Sequence, residues 1–528
     1  MSGRHVVVLG GGHNGLVCAA YLARAGARVT LLERRDLLGG ACVTEELWPG
    51  YRVSRASYVL SLLRPRILRD LRLRSFGLEL LPRDPSSFTP LPDGRSLVLG
   101  SDRARNLEEI GRFSSRDAAV FPSYESLLER VAAALEPTLD APPPEWPPRS
   151  YHDLKPWWLA GRALLKLRRD LPRTARLLLA PARELLEEYF ESEPLRATLA
   201  TDAVIGAFAA PSTPGTGYVL FHHVMGSAGG RRGIWAYVRG GMGKLADALA
   251  DAGRSLGAEL RTGAEVARIC TRGGAATGIV LADGEEIQAD AVVSGADADR
   301  TFGLLDDSSQ LPEEFVRSLR QIDYRSPVVK LNLALRELPR FRCRDREQVP
   351  LAATIHVGPS DLDAIDRAYE QARAGDVSEC PMVELTIPSV LDDTLAPSGR
   401  HVASIFAQYA PALAGDDPRW PALRSTIRDR ILNAVEQVAP GFSDSIEHEE
   451  ILAAPDTERI FGLTGGNIFH GAMTPDRLLF MRPVPGWARY RSPIRALYMC
   501  GAASHPGGGV MGASGYNAAH EIARDLRL

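Results

Sequence analysis

The chain has 528 residues, 45% hydrophobic and 24% charged, with a formal net charge of -3. That length exceeds one small core and predicts two domains or lobes, while the charge balance excludes a dominant nucleic-acid footprint, which needs a basic excess. Its cysteines, Cys18, Cys42, Cys270, Cys343, Cys380 and Cys500, include no CxxC pair, which excludes a locally written redox disulfide or zinc knuckle and leaves reduced thiols in a cytoplasmic setting as the expectation.

The first strand candidate begins at Arg4 or His5, leaving no room for a signal peptide or an arginine-rich presequence. No window supplies the roughly eighteen uninterrupted apolar residues of a membrane span. Residues 5–9 read HVVVL, a run suited to a buried parallel strand. Gly10-Gly11-Gly12-His13-Asn14-Gly15 then fits G-x-G-x-x-G. The spacing of Leu16, Ala19, Ala20, Leu22 and Ala23 predicts a helix stopped by Gly26, and residues 28–32 read as a strand ending in Glu33.

This strand–turn–helix–strand context gives the glycines their meaning. Gly10 permits the tight turn, Gly12 lets backbone amides approach a diphosphate, and Gly15 lets the helix pack on the strand. Asn14 belongs to the first helical turn, where unpaired N–H groups and the helix dipole favour negative charge. Glu33 is placed to accept hydrogen bonds from ribose hydroxyls. A dinucleotide is therefore expected. The following RRDLLGGACVT carries Arg34, Arg35, Gly39 and Gly40. Its glycine pair is either a second approach to the diphosphate, as in FAD-binding chains, or a plain turn.

Further along, residues 118–136 and 157–190 read as helical on either side of a stiff connector, Pro142-Pro143-Pro144 with Pro147 and Pro148. The stretch from Trp157 and Trp158 through Leu164, Leu165, Lys166, Arg168 and Arg169 is basic and amphipathic. It suits either a packed helix with solvated arginines or peripheral contact with a membrane interface. A middle block, Val238-Arg239-Gly240-Gly241-Met242-Gly243, leads into a helix over 244–256 and strands over 265–270, 277–281 and 291–294. Turns at Gly273-Gly274 and Asp283-Gly284 make these a β-meander. At the far end, a strand over 497–500 runs into Gly501 and then AASHPGGGVMGASGYNAAHEIARDL. The loop through Gly508, Val510, Met511 and Gly512 feeds a helix, an arrangement suited to the negative charge developing at the N1–C2=O edge of a reduced flavin.

Residues 4–58, 238–297 and 465–528 resemble the phytoene-desaturase-type flavin oxidoreductases of the amine-oxidase-like FAD superfamily. The motifs GGNIFHGAMTP, RPVPGWARYRSP and LYMCGAASHPGGGVMGASGYNAA carry the likeness. They look closest to a branch named for a pyridine nucleotide-disulfide oxidoreductase domain. The resemblance implies an α/β fold with a Rossmann-like, three-layer FAD-binding domain that includes the β-meander. That domain is expected from residues 1–89, 231–300 and 456–528, and an α+β substrate-binding domain from 90–230 and 301–455. A backbone amide near Val266 would hold the adenine. The FAD is expected to be non-covalent, since no cysteine lies between residues 381 and 499, where relatives with a thioether carry one.

Without a CxxC or a second G-x-G-x-x-G, a disulfide-reductase mechanism and a dedicated NAD(P) domain are not expected. Electrons would leave to oxygen, a quinone or another diffusible acceptor. The expected activity is hydride transfer to FAD from a fairly apolar small molecule, by dehydrogenation, desaturation or isomerisation. The alternatives are a flavin amine oxidase, which needs an aromatic cage for a cation, and an FAD-bound regulatory or scaffold protein. His505, in the flavin-side loop, is the candidate acid or base, with His470, Tyr516 and Lys330 as further candidates.

Overall fold

The computed structural model describes residues 3–148, 150–228, 231–343 and 349–528. Strand alternation explains its first layers. Val6 and Val8 of the strand His5–Leu9 pack into one core, Val7 and Leu9 into another on the opposite face. The strand sits at the centre of a five-stranded parallel sheet in the order Glu259–Arg261, Arg28–Leu32, His5–Leu9, Ala291–Ser294, Leu497–Met499. On one face lie three helices, His13–Arg24 flanked by Gly243–Ser255 and Ala513–Leu526. On the other lies the antiparallel meander Val266–Arg272, Ala275–Leu281 and Glu286–Gln288. Ile269, Ile279 and Leu281 of the meander pack against Val7 and Leu9. The result is a three-layer, Rossmann-like unit gathered from distant segments.

A second sheet has seven strands in the order Ile446–Leu452, Val328–Leu335, His401–Gln408, Met382–Thr386, Thr354–Val357, Ser87–Pro90, Ser96–Leu99. Every neighbouring pair is antiparallel except Thr354–Val357 with Ser87–Pro90. The strand Ser87–Pro90 thus runs across position 89, where a boundary was expected, and pairs wholly within the second sheet. Val329, Leu331, Leu333 and Leu335 face the helix Trp420–Val438 through Ile427, Ile431 and Val435. Alternation therefore sends Val328, Lys330 and Asn332 the other way.

The intervening helices depart from the sequence expectation in one respect. Residues 157–190 fold as parts of three helices, Leu154–Leu167, Leu171–Leu179 and Ala182–Tyr189. Pro172 lies in the first turn of the second and Pro181 caps the third. Proline suits a helix start and cannot continue the preceding helix, so each marks a break. The upstream helix begins at Ser115, because the Ser114 hydroxyl accepts from the Asp117 N–H at 3.1 Å and caps it.

Candidate active site

A cavity of about 690 Å³ is lined by residues of both sheets. Its nucleotide end is built largely of backbone. Gly10, at φ 94°, turns the chain from the strand into the helix. A Cβ on Gly15 would lie 2.1 Å from the Gly10 carbonyl oxygen, whereas one on Gly12 would meet nothing within 4 Å. Gly12 caps the helix without a side-chain hydrogen bond, and the first turn holds no acid. Its N–H groups are thus left for an anion. Asn14 lines the same loop, its Oδ1 buried without a partner.

Glu33 is buried at the cavity edge, its Oε2 accepting from the Gly11 N–H at 2.8 Å and its Oε1 from the Arg35 N–H at 2.9 Å. Two fixed contacts leave lone pairs for ribose hydroxyls. Gly39 donates its N–H to the Gly11 carbonyl at 2.8 Å, and Gly40, at φ 57°, lies against the Gly12 Cα. The second glycine turn therefore rests on the first. Val266 lines the same end beside Ala264 and Glu265. Open space at Gly12, bare helix N–H groups and a pre-positioned acid fit an FAD, whose diphosphate the loop and whose ribose Glu33 would hold. Arg34 also lines the cavity, but its guanidinium donates to the Arg459 and Ile460 carbonyls at the end of the helix Ala454–Phe461.

The carboxy-terminal loop is only partly exposed to the cavity. Gly508 and Val510 line it, together with Gly509, Ala502, Phe469 and His470. Gly501, Met511 and Gly512 do not. Gly501 packs on the Gly295 carbonyl, Met511 is in a helical core, and Gly512, at φ 69°, caps the helix Ala513–Leu526. Val510 takes a left-handed φ of 56°, a strained conformation for a β-branched residue that turns this loop into the cavity. Buried Arg482 donates to the carbonyls of Phe469, Gly471, Ala472, Arg477 and Ala502. It ties the two carboxy-terminal loops together, and burial lowers its pKa to about 10.

His505 is the candidate acid or base that the sequence offers. It is not among the cavity-lining residues. Its ring is buried with Nε2 3.5 Å from the Thr138 carbonyl, and burial pulls its pKa down to about 4. The glycine loop that made it conspicuous turns its backbone to the cavity and its imidazole away. Tyr516 likewise lies outside the lining, its hydroxyl accepting from Arg66 at 2.7 Å. His470 does line the cavity, with Nδ1 lacking a partner and its pKa lowered by burial.

The other end of the cavity is built of side chains from the second sheet. Cross-strand register places His356, Glu384, Phe406, Lys330 and Leu452 in one row across five strands, and all five line the cavity. The Lys330 ammonium donates to the Ser54 and Ala56 carbonyls, each at 2.6 Å, and lies 5.1 Å from the centre of the Tyr58 ring. Burial pushes its pKa down to about 7, against the pull of the Glu450 carboxylate. Tyr58 donates to Glu384 at 3.0 Å. Burial, helped by nearby Asp202, raises the Glu384 pKa to about 8, and burial lowers His356 to about 4. Sequence reasoning picked out Lys330 but missed Glu384, His356, Arg83 and Asp202. The available signal was a lone ionisable residue inside an apolar strand, as in VVKLNLAL, MVELT and TIHV.

Comparison with known proteins agrees with this geometry. Residues 15–523 match the family described as flavin containing amine oxidoreductase. A mouse (Mus musculus) protein, pyridine nucleotide-disulfide oxidoreductase domain-containing protein 2, is 48% identical over 99% of this chain and 93% of its own length. A hydroxyneurosporene desaturase of Cereibacter sphaeroides is 30% identical over 99% of this chain and 98% of its own. A putrescine oxidase variant shares the fold, with a TM-score of 0.61 and 15% identity, covering 99% of this chain and 98% of that one. The chain belongs to the flavin-containing amine oxidoreductase family and is an FAD-dependent oxidoreductase.

Proposed function

We propose that the cavity dehydrogenates an apolar small molecule, with FAD held non-covalently along the nucleotide end and the substrate lying on the sheet floor. The observation that carries this is continuity: the lining runs from the Gly10–Gly15 loop, past Gly508 to Val510, to Lys330 and Phe406 in one cavity. FAD bound there supplies a two-electron, hydride-accepting ring. The protein's part is to orient the substrate and receive the proton. As a neutral amine, Lys330 gives its two N–H groups to the Ser54 and Ala56 carbonyls and keeps one lone pair as the acceptor. Burial holds the Cys42 thiol, the cysteine in the lining, up at about 12, so it stays protonated and a poor nucleophile towards a flavin.

The desaturase among the relatives favours removal of hydrogen from a carbon skeleton. An amine substrate is disfavoured because Lys330 itself occupies the face of Tyr58, leaving that ring no free face for a substrate cation. Anaerobic mixing of the FAD-loaded protein with polyenes, terpenes, alcohols and amines tests the reading. Bleaching of the flavin band by an apolar member is expected, and bleaching by amines alone would overturn it. Acid precipitation should leave the flavin in the supernatant; a yellow pellet would refute non-covalent binding.

A specific surface favours a second, additional role in peripheral contact with an anionic bilayer. Trp146, Tyr151 and Leu165 are 79%, 81% and 70% exposed, and Trp158, Leu164, Leu171 and Leu179 are exposed with them. Lys155, Arg162, Lys166 and Arg173 are exposed on the helices Leu154–Leu167 and Leu171–Leu179, and Arg168 and Arg169 on the turn between them, giving the apolar and basic mixture of an interfacial anchor. No helix among the described residues is long and apolar enough to cross a membrane. Co-sedimentation with phosphatidylglycerol vesicles, lost in Trp158→Glu/Leu165→Glu, is expected; equal recovery with phosphatidylcholine would remove the charge argument.

A further inference from the structure

We infer that the sheet-floor end of the cavity recognises a carboxylate at the far end of an otherwise apolar substrate, and that Arg83 is the residue that reads it. The inference rests on the reading of this cavity as the substrate site.

Arg83 is 2% exposed yet lines the cavity. Its Nη1 donates to the Thr354 hydroxyl at 2.7 Å, and its guanidinium lies 5.0 Å from the centre of the Tyr237 ring. Its Nε is buried without a hydrogen-bond partner. The Asp202 and Glu384 carboxyls feel its charge, but burial favours their protonated forms. A buried guanidinium whose neighbouring carboxyls stay protonated is costly. The neighbouring wall repeats the pattern. Ser87, paired in register with Thr354, has a buried hydroxyl with no partner, and the Nδ1 of His356 also lacks one. Three residues of this stretch of the lining, on adjacent strands and the segment just before them, thus carry a buried polar atom without a hydrogen bond, His356 Nδ1 standing 3.7 Å from Glu384 Oε1.

The sign of the missing group follows from the charged neighbours. Asp202, Glu384, His223, His356 and Lys330 also line this end. A cationic ligand would need Asp202 and Glu384 ionised, which burial opposes, and would meet the Arg83 charge. An anionic ligand meets the Arg83 charge beside carboxyls that burial holds towards their protonated forms. The planar guanidinium of arginine matches a carboxylate in a way that a hydroxyl or a hydrocarbon does not. Trp235, Ile205, Val328 and Phe406 supply apolar wall beside it.

Calorimetric titration of the FAD-loaded protein with decanoate, decanol and decylamine tests the inference without requiring turnover. Decanoate should bind tighter than either analogue by about thirty-fold or more, the usual cost of removing one partner of a buried charge pair. Arg83→Gln should erase that preference while leaving decanol binding within about two-fold. Arg83→Lys, which keeps the charge but loses the planar edge, should recover only part of it. If Arg83→Gln fails to fold, the ranking in the unmodified protein still decides. A preference for decylamine, equal binding of all three probes, or binding of none overturns the carboxylate site. Flavin bleaching by an apolar substrate in that last case would leave the dehydrogenase reading intact. A protein that binds decanoate but retains no flavin would instead overturn the dehydrogenase reading and keep the carboxylate site.

Discussion

The two ends of the cavity are made of different material. At the nucleotide end the groups that face the ligand are main-chain N–H groups, glycine faces and one carboxylate fixed by two backbone amides. At the sheet floor they are side chains, set in a row by the register of five strands. A backbone site is set by sterics, so an added atom either clashes with the main chain or fills space meant for the ligand. A side-chain site is the reverse: its shape survives substitution, while its protonation and specificity do not. The first suits a cofactor of fixed shape, the second a variable substrate.

Glycine substitutions should break the nucleotide end most severely, and in two distinguishable ways. Gly15→Ala puts a Cβ 2.1 Å from the Gly10 oxygen. Backbone opposes backbone there, so the helix must move off the strand, costing about 3 kcal/mol or more, and both melting temperature and flavin content should fall. Gly12→Ala adds a Cβ to open space at φ -67°, an ordinary conformation for alanine. The flavin-free protein should melt within about 0.5 kcal/mol of the unmodified one, while flavin retention drops because the methyl occupies the diphosphate's approach. Full flavin content in Gly12→Ala would move the diphosphate elsewhere.

Substitution at the floor should spare the flavin and change the pH dependence. Lys330→Met removes the donor to the Ser54 and Ala56 carbonyls, costing about 1–3 kcal/mol if they stay dry. Flavin reduction in the unmodified protein should rise through about pH 7 as the amine loses its proton. In Lys330→Met it should be on the order of a hundred-fold slower and flat across that range. Stability provides a second readout. The folded pKa of Lys330 is depressed from 10.5 to about 7, so the unfolded chain binds more protons between those values. Stability should therefore rise with pH across that window and stay low below it. Lys330→Met should lack the rise; a variant that keeps it assigns the titration to another group.

The same division decides what could be read from sequence. The strand at residues 5–9, the G-x-G-x-x-G turn, Glu33 and the strand at 291–294 stand where spacing predicts. Each is local, fixed by sterics within a few residues. The floor is not local. His356, Glu384, Phe406 and Lys330 come together only because their strands pair in one register, and periodicity says which face a residue takes without saying which strand lies beside it. The breaks at Pro172 and Pro181 were legible as proline effects, yet the apolar spacing ran across them. His505 shows the same limit, its ring lying outside the lining. Its place in a glycine-rich loop was read correctly, but loop membership does not fix side-chain direction.

The smallest expected effect follows from that limit. The His505 carbonyl accepts from the Tyr490 hydroxyl at 3.0 Å and from the Ser514 hydroxyl at 3.0 Å. Those contacts belong to the main chain and survive truncation of the ring. His505→Ala should therefore cost about 1–2 kcal/mol from lost packing, seen as a modest fall in melting temperature. Flavin content should be unchanged, and reduction by substrate should stay within about two-fold with the same pH profile, since a neutral imidazole facing the Thr138 carbonyl has no route to the cavity. A fall in reduction of about ten-fold or more at full flavin content would return His505 to the chemistry, and would mean that the loop swings its ring inward when the flavin is bound.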